Sequence, residues 1–195
     1  MMCSQPPKDI DSRWLIPLYR DAIELSDQDI DIGISGGEPT LYKEELFSLL
    51  EYFAEKRPDI SFHILTNAQH FSKKDRARLI ELHKALKILW GIPLYSSSAQ
   101  EHDDIVKKCG AFNTLIENLF ILASSGGAIE LRTVLTKKNI FELPYIAKFI
   151  AKNTKFLAHW AIMNLEPIGY AKMGREELFF DYSQFFEPLA NAIET

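Results

Sequence analysis

The residues best suited to chemistry form one short run, Ser35-Gly36-Gly37-Glu38-Pro39-Thr40. It follows directly on an alternating stretch, Asp29 to Ser35, whose Ile30, Ile32 and Ile34 share one face and read as a strand. Adjacent glycines at the carboxyl end of a parallel strand let the backbone turn sharply and bring its N–H and C=O groups within reach of a ligand. Glu38 adds a negative charge there, which repels a phosphate and suits an ammonium or a zwitterion. The plainer alternative is a tight turn with Pro39 opening a helix. A second charged pair, Glu130 and Arg132, alternates along the stretch Ile129 to Leu135. A guanidinium is permanently charged and binds carboxylates bidentately, so Arg132 is either a carboxylate ligand or half of a salt bridge with Glu130 or Asp31.

Other reactive residues read more plainly. His63, between Phe62 and Ile64, is expected to be a satisfied core histidine, and the His102-Asp103 pair to lie on the surface. Cys109 beside Gly110 reads as a buried or loop thiol, and Glu166 before Pro167 as a solvated loop charge. Phe179, Phe180, Phe185 and Phe186 read as core, or as a former contact with missing sequence.

Positioning these groups requires strands and helices in alternation. Strands are expected at Asp29 to Ser35, Ser61 to Thr66, Lys87 to Leu94, Ile129 to Leu135 and Ala158 to Leu165. Between them lie amphipathic helices: Arg13 to Leu25 behind Ser12, Glu44 to Arg57 stopped by Pro58, and Lys73 to His83 behind Ser72. Ala111 to Ser125 is stopped by Gly126 and Gly127, Phe141 to Asn153 follows, and Ser183 to Ile193 closes the chain. Tyr95 to Gly110 and Tyr170 to Tyr182 are left as long connections. The class is α/β with a parallel sheet. Central strands of a doubly wound sheet are nearly continuous apolar runs. Asp29, Asp31, Glu130 and Arg132 break that rule, whereas a barrel lumen holding a polar ligand accepts them. We therefore expect a partial (β/α) barrel, the alternative being edge strands with one wet face. The first element is a helix, so the usual first strand of such a fold is expected to be missing.

Composition narrows the class. A length of 195 residues suits one domain, 1–195, and 47% hydrophobic residues suffice for a packed core. Twenty-two Lys and Arg against 27 Asp and Glu give a net charge of -5, which advertises neither a nucleic-acid nor an anionic-membrane surface. Two cysteines are too few for a disulfide framework, and no apolar run reaches the ~20 residues of a membrane span. A reducing cytoplasm is the expected location.

The run S-G-G-E-P-T-L at 35–41 after a strand resembles the G-G-E-P motif of the radical S-adenosylmethionine (SAM) enzymes. L-T-N-A at 65–68, G-A-F at 110–112 and V-L-T-K-K-N at 134–139 are similar to segments of those enzymes. C-S-Q-P-P-K-D at 3–9, I-P-L-Y-S at 92–96, H-D-D-I-V at 102–106 and L-E-P-I-G-Y-A at 165–171 resemble the narrower His-Xaa-Ser group, maturases encoded beside a peptide with His-Xaa-Ser repeats. The resemblance implies a C-x-x-x-C-x-x-C motif whose thiolates hold a [4Fe-4S] cluster. Cys3 would be its last ligand, 33 positions before Gly36, with the second cysteine immediately before Met1; the chain is then expected to be truncated inside the motif. It further implies that Gly36, Gly37, Glu38 and Pro39 hold the methionine ammonium of SAM, that Thr66 and Asn67 line the ribose side, and that Arg132 takes the SAM carboxylate. Pro93 stands where many members carry a serine, a contact Ser96 would replace; Glu166 is a further cofactor or substrate candidate.

The expected activity of the complete form is reductive cleavage of SAM and modification of a ribosomally made precursor peptide, with a second maturase as a further partner. The competing expectation is a non-catalytic remnant or peptide-binding module without the cluster. A nucleotide-binding α/β protein is a third, opposed by the lack of G-x-x-x-x-G-K-S/T and G-x-G-x-x-G.

Overall fold

The computed structural model describes residues 16–166 and 168–195. Five strands, β1 (Asp31–Ile34), β2 (Ser61–Leu65), β3 (Lys87–Pro93), β4 (Ala128–Leu135) and β5 (His159–Asn164), form one sheet in the order β1-β2-β3-β4-β5, every neighbouring pair parallel. Each expected strand is present to within two residues at its ends. Parallel neighbours in chain order need crossovers of one hand, which put the connecting helices on one face. A doubly wound sheet reverses its order; this one does not, so the second face is left as a barrel-type lumen wall.

The helix-covered face holds the core. Phe62 and Ile64 of β2, Ile88, Trp90 and Ile92 of β3, and Ile129 and Leu131 of β4 meet four helices in one buried cluster. These helices are α2 (Lys43–Lys56), α3 (Arg76–Ala85), α5 (Ala111–Ser124) and α6 (Leu143–Asn153). Phe47, Leu50 and Phe53 of α2 are fully buried, as are Leu79 of α3 and Leu122 of α5. Each such side chain contributes roughly 1.5–3 kcal/mol by leaving water. Trp90 also donates its Nε1–H to His83 Nε2 at 2.9 Å, which leaves His83 Nδ1 to donate to the Ser125 carbonyl at 2.9 Å. That chain ties β3 to α3 and to the end of α5. Ser72 opens the 3-10 turn Lys73–Asp75 that leads into α3: its N–H donates to Asp75 Oδ2 at 2.7 Å and its carbonyl accepts from Asp75 N at 3.0 Å.

Two differences from expectation have clear causes. The stretch left as a long connection at 95–110 contains α4 (Ala99–Val106), and that at 170–182 contains α7 (Gly169–Met173) and α8 (Arg175–Leu178). These helices are only eight, five and four residues long, too short for a repeating apolar period to stand out. Asp29 lies in a turn with φ 54°, outside β1. Asp31 is exposed on an edge strand and accepts from Ser61 Oγ. For β1 the wet-edge reading holds, whereas in the inner strand β4 Glu130 is 4% exposed on the lumen face. The first helix is described from Ile16 as α1 (Ile16–Glu24), and Ser12 and Arg13 lie outside the described residues. The last helix is α9 (Phe186–Ile193); Phe180 and Phe185 pack on a small second cluster of Leu135, Ile140, Leu143, Ala147 and Ala192, while Phe186 is 70% exposed.

Phe53→Ala is expected to lower the unfolding free energy by about 3–5 kcal/mol in urea titrations, and Phe186→Ala to stay within about 0.5 kcal/mol.

Candidate functional site

The glycine run sits at the carboxyl end of β1, and its geometry is set by one side chain. Gly36 and Gly37 take φ of +94° and +29°, in the region that disfavours a Cβ. Glu38 then returns to extended backbone, and Pro39 opens a short 3-10 turn, Pro39–Tyr42, that leads into α2. The Glu38 carboxylate takes four donors. Oε1 accepts from Thr40 N at 3.0 Å, Thr40 Oγ1 at 2.5 Å and Thr66 Oγ1 at 2.6 Å, and Oε2 accepts from Asn67 N at 2.7 Å. Thr66 and Asn67 follow the end of β2, so this carboxylate pins the β1 turn to the next strand. The expected ligand-facing charge is thus largely spent within the chain, and the backbone of the turn is what remains to face a ligand. Thr66 is buried and also accepts from Ala68 N at 3.0 Å. Asn67 is exposed, with its Oδ1 accepting from Gln69 N at 2.9 Å.

Arg132 lies on the lumen face at the same height. It pairs with Pro93 and Ala161, and Asn67, two residues after Leu65, stands level with Pro93. One layer lower are Leu65, Gly91, Glu130 and His159. Glu130 Oε1 accepts from Arg132 Nη1 at 2.5 Å, and Oε2 pairs with His159 Nε2 at 2.6 Å. The salt bridge weighed for Arg132 is therefore formed, with Glu130 and not with Asp31. Arg132 Nη2 reaches up to Met163 Sδ at 3.1 Å. His63 also faces this lumen: its Nε2 lies 3.7 Å from Glu130 Oε1, and that atom is buried without a hydrogen-bond partner. The expectation of a satisfied core histidine is overturned, because on β2 it is Phe62 and Ile64 that face the helices. The flanking apolar residues that suggested the core belong to the opposite face of the pleat.

The remaining candidates are dispersed. His102 is 2% exposed, not on the surface as expected; its Nδ1 accepts from Tyr95 N at 3.3 Å, and burial pushes its pKa down to about 4. The signal for this was its place in α4, which the sequence period did not reveal. The Phe112 and Gly110 N–H groups hold the Asp103 carboxyl below the usual range. Ser96 is buried and already donates to Glu101 Oε2 at 2.7 Å while accepting from Ser98 N. Cys109 is an exposed loop thiol and Glu166 is exposed. Cys3 and Pro167 lie outside the described residues. Two hollows, of about 630 Å³ along α6 and α9 and about 460 Å³ at the amino-terminal strand ends near His63 and Lys87, lie away from the glycine turn.

No protein-family model and no curated protein matches the sequence. Solved structures do match. The chain is similar to anSMEcpe with bound AdoMet and Cp18Cys peptide (16% identity, TM-score 0.74, covering 99% of this chain and 54% of that one). It is also similar to Streptococcus suis SuiB bound to precursor peptide SuiA (18%, TM-score 0.68, covering 100% and 42%). A domain of a pyruvate-formate lyase-activating enzyme from Bacteroides vulgatus matches at 17% identity and TM-score 0.58, covering 84% and 92%. The fold is that of radical SAM enzymes. The chain spans about half the length of the first two structures.

A Cβ built on Gly36 or Gly37 meets nothing within 4 Å, so the turn leaves open space beside a strand end, with the Arg132 backbone three strands away, roughly 14 Å across the sheet. A backbone turn with open space beside it suits an ammonium and a guanidinium suits a carboxylate, although the Glu38 carbonyl already accepts from Leu41 N at 3.1 Å. Among the described residues no group of three or more His, Cys, Asp or Glu is placed to hold a metal ion.

Two outcomes follow. Glu38→Ala strands the buried Thr66 hydroxyl and the Asn67 N–H, and is expected to cost about 1–3 kcal/mol in urea titrations. His102 is neutral when folded: the unfolded chain gains its proton near pH 6.5, the folded one only near 4. Its contribution is complete above pH 6.5, is lost as the pH falls and levels off below about 4. Between about pH 7.5 and pH 5 wild type should lose roughly 2 kcal/mol more than His102→Asn, measured by paired denaturation curves.

Proposed function

We propose that this chain forms the SAM-binding part of a radical SAM enzyme that modifies a ribosomally made precursor peptide. The observation that carries this is the Gly36-Gly37 turn, held open at the end of β1 by the Glu38 carboxylate on Thr40, Thr66 and Asn67. In this reading the backbone carbonyls of residues 36–38 take the methionine ammonium, and Glu38 orients them. Pro39 fixes the exit of the turn, Thr66 and Asn67 border the ribose side, and Arg132 takes the carboxylate. When bound with a reduced [4Fe-4S] cluster, SAM supplies hydrogen-abstracting chemistry; Cys3 is the proposed cluster ligand in this sequence. The chain's own contribution is to bind and orient the sulfonium at the mouth of the lumen and to exclude water from it.

Support for a peptide substrate comes from SuiB, which is bound to its precursor peptide, and from anSMEcpe, which is bound to a peptide. The His-Xaa-Ser type of system, with its repeat peptide and a second maturase in the cytoplasm, is the finer form of the proposal. Among the described residues no helix is long and apolar enough to cross a membrane.

Equilibrium dialysis against SAM tests this directly. Wild type is expected to bind, and Gly37→Val to bind at least about tenfold more weakly, a loss of about 1.4 kcal/mol. Wild type that retains no SAM, with its cooperative unfolding intact, would overturn the assignment.

A further inference from the structure

The lumen below the turn contains a charged group that the proposed SAM contacts do not use. Glu130 is nearly sealed from water, its side chain 5% exposed, yet both oxygens have partners, Arg132 Nη1 at 2.5 Å and His159 Nε2 at 2.6 Å. Burying a carboxylate is costly unless it is paired and hydrogen-bonded, and here Arg132 and His159 provide the partners. A buried ion pair is weak evidence of stability for its own sake, so its geometry is the more informative property.

The two ends of the Arg132 guanidinium are held unequally. Nη1 points down one layer to a carboxylate at 2.5 Å, a strong charge-assisted bond. Nη2 points up one layer to the Met163 sulfur at 3.1 Å, and a thioether is a weak acceptor. One end is thus fixed and the other is exchangeable, on the side nearer the strand ends where the glycine turn lies. His159 Nε2, on the second oxygen of Glu130, stops that carboxylate from swinging away. Gly91 makes the arrangement possible: a Cβ there would come within 2.5 Å of Leu65 Cδ2, 3.0 Å of His63 Nε2 and 3.2 Å of Arg132 Cδ.

We infer that Glu130 is a positioning residue, which braces Arg132 from below so that its Nη2 edge exchanges the Met163 sulfur for the carboxylate of the bound ligand. The inference rests on the proposed binding of SAM, and it adds that carboxylate selectivity is set one layer beneath the contact residue.

The test compares SAM with its decarboxylated analogue, which keeps the ammonium, sulfonium and adenosine, by equilibrium dialysis on wild type, Glu130→Gln and Glu130→Asp. Thermal melts establish which variants fold. Wild type is expected to prefer SAM by about tenfold or more. Glu130→Gln should bring that preference close to one while leaving affinity for the analogue unchanged, and Glu130→Asp, one methylene shorter with its charge kept, should fall between. If Glu130→Gln is unfolded, Glu130→Asp carries the comparison alone, with a reduced preference expected. Equal weakening of both ligands, or an unchanged preference in the folded variants, overturns the inference while SAM binding stands. Wild type that binds neither ligand overturns the proposed function and this inference with it.

Discussion

A single carboxylate organises the carboxyl end of this sheet. Two glycines in a row give a backbone that can adopt many conformations, and only one of them presents its carbonyls usefully. Glu38 removes that freedom by collecting four donors from three places: the first turn of the next helix, the end of the neighbouring strand and the backbone beyond it. The hydrogen bonds are charge-assisted, and the threonines that supply them are buried, so they face little competition from water. The turn, the start of α2 and the end of β2 therefore move as one piece. A ligand that meets this turn meets a preorganised surface.

The second constraint is the one-sidedness of the sheet. With all the packed helices of the main core against one face, the opposite face is free to hold side chains that no doubly wound core would tolerate. It holds them in layers, with Arg132 level with Asn67 and with Glu130 and His159 beneath. A glycine at the centre of the lower layer keeps the space clear. Layering separates roles that sequence places side by side: Glu130 and Arg132 are two residues apart, yet one lies deep in the wall and the other near its rim.

Much of this was legible from the chain alone, and for identifiable reasons. The strict alternation around Ile32 located β1, the short apolar run from Ser61 to Thr66 located β2, and the two charges in the Ile129 to Leu135 strand indicated a polar lumen. The parallel character of the sheet followed from the helix-strand alternation. What stayed hidden depended on pairing in space. Glu38 could be recognised as a charge in a glycine turn, but that its charge is consumed by Thr40, Thr66 and Asn67 depends on β2 lying next to β1. His63 was misjudged because its neighbours in sequence face the other way, and His102 because α4 spans only eight residues, too few for its period to announce a buried residue. The match of Arg132 to Glu130 was one of two open partners, and the place of β1 three strands from β4 is what rules out Asp31.

The clasp around Glu38 also has a temporal meaning. Every partner of its carboxylate lies between residues 40 and 67, and the two adjoining strands are neighbours in both sequence and space. The loop to be closed runs over 28 to 29 residues, and the entropy of closing it grows only slowly with its length. The Arg132 brace, by contrast, needs β4 and β5 to have paired. The two halves of the site are thus built by different stretches of chain, and the glycine turn can reach its working shape while the far wall of the lumen is still unformed.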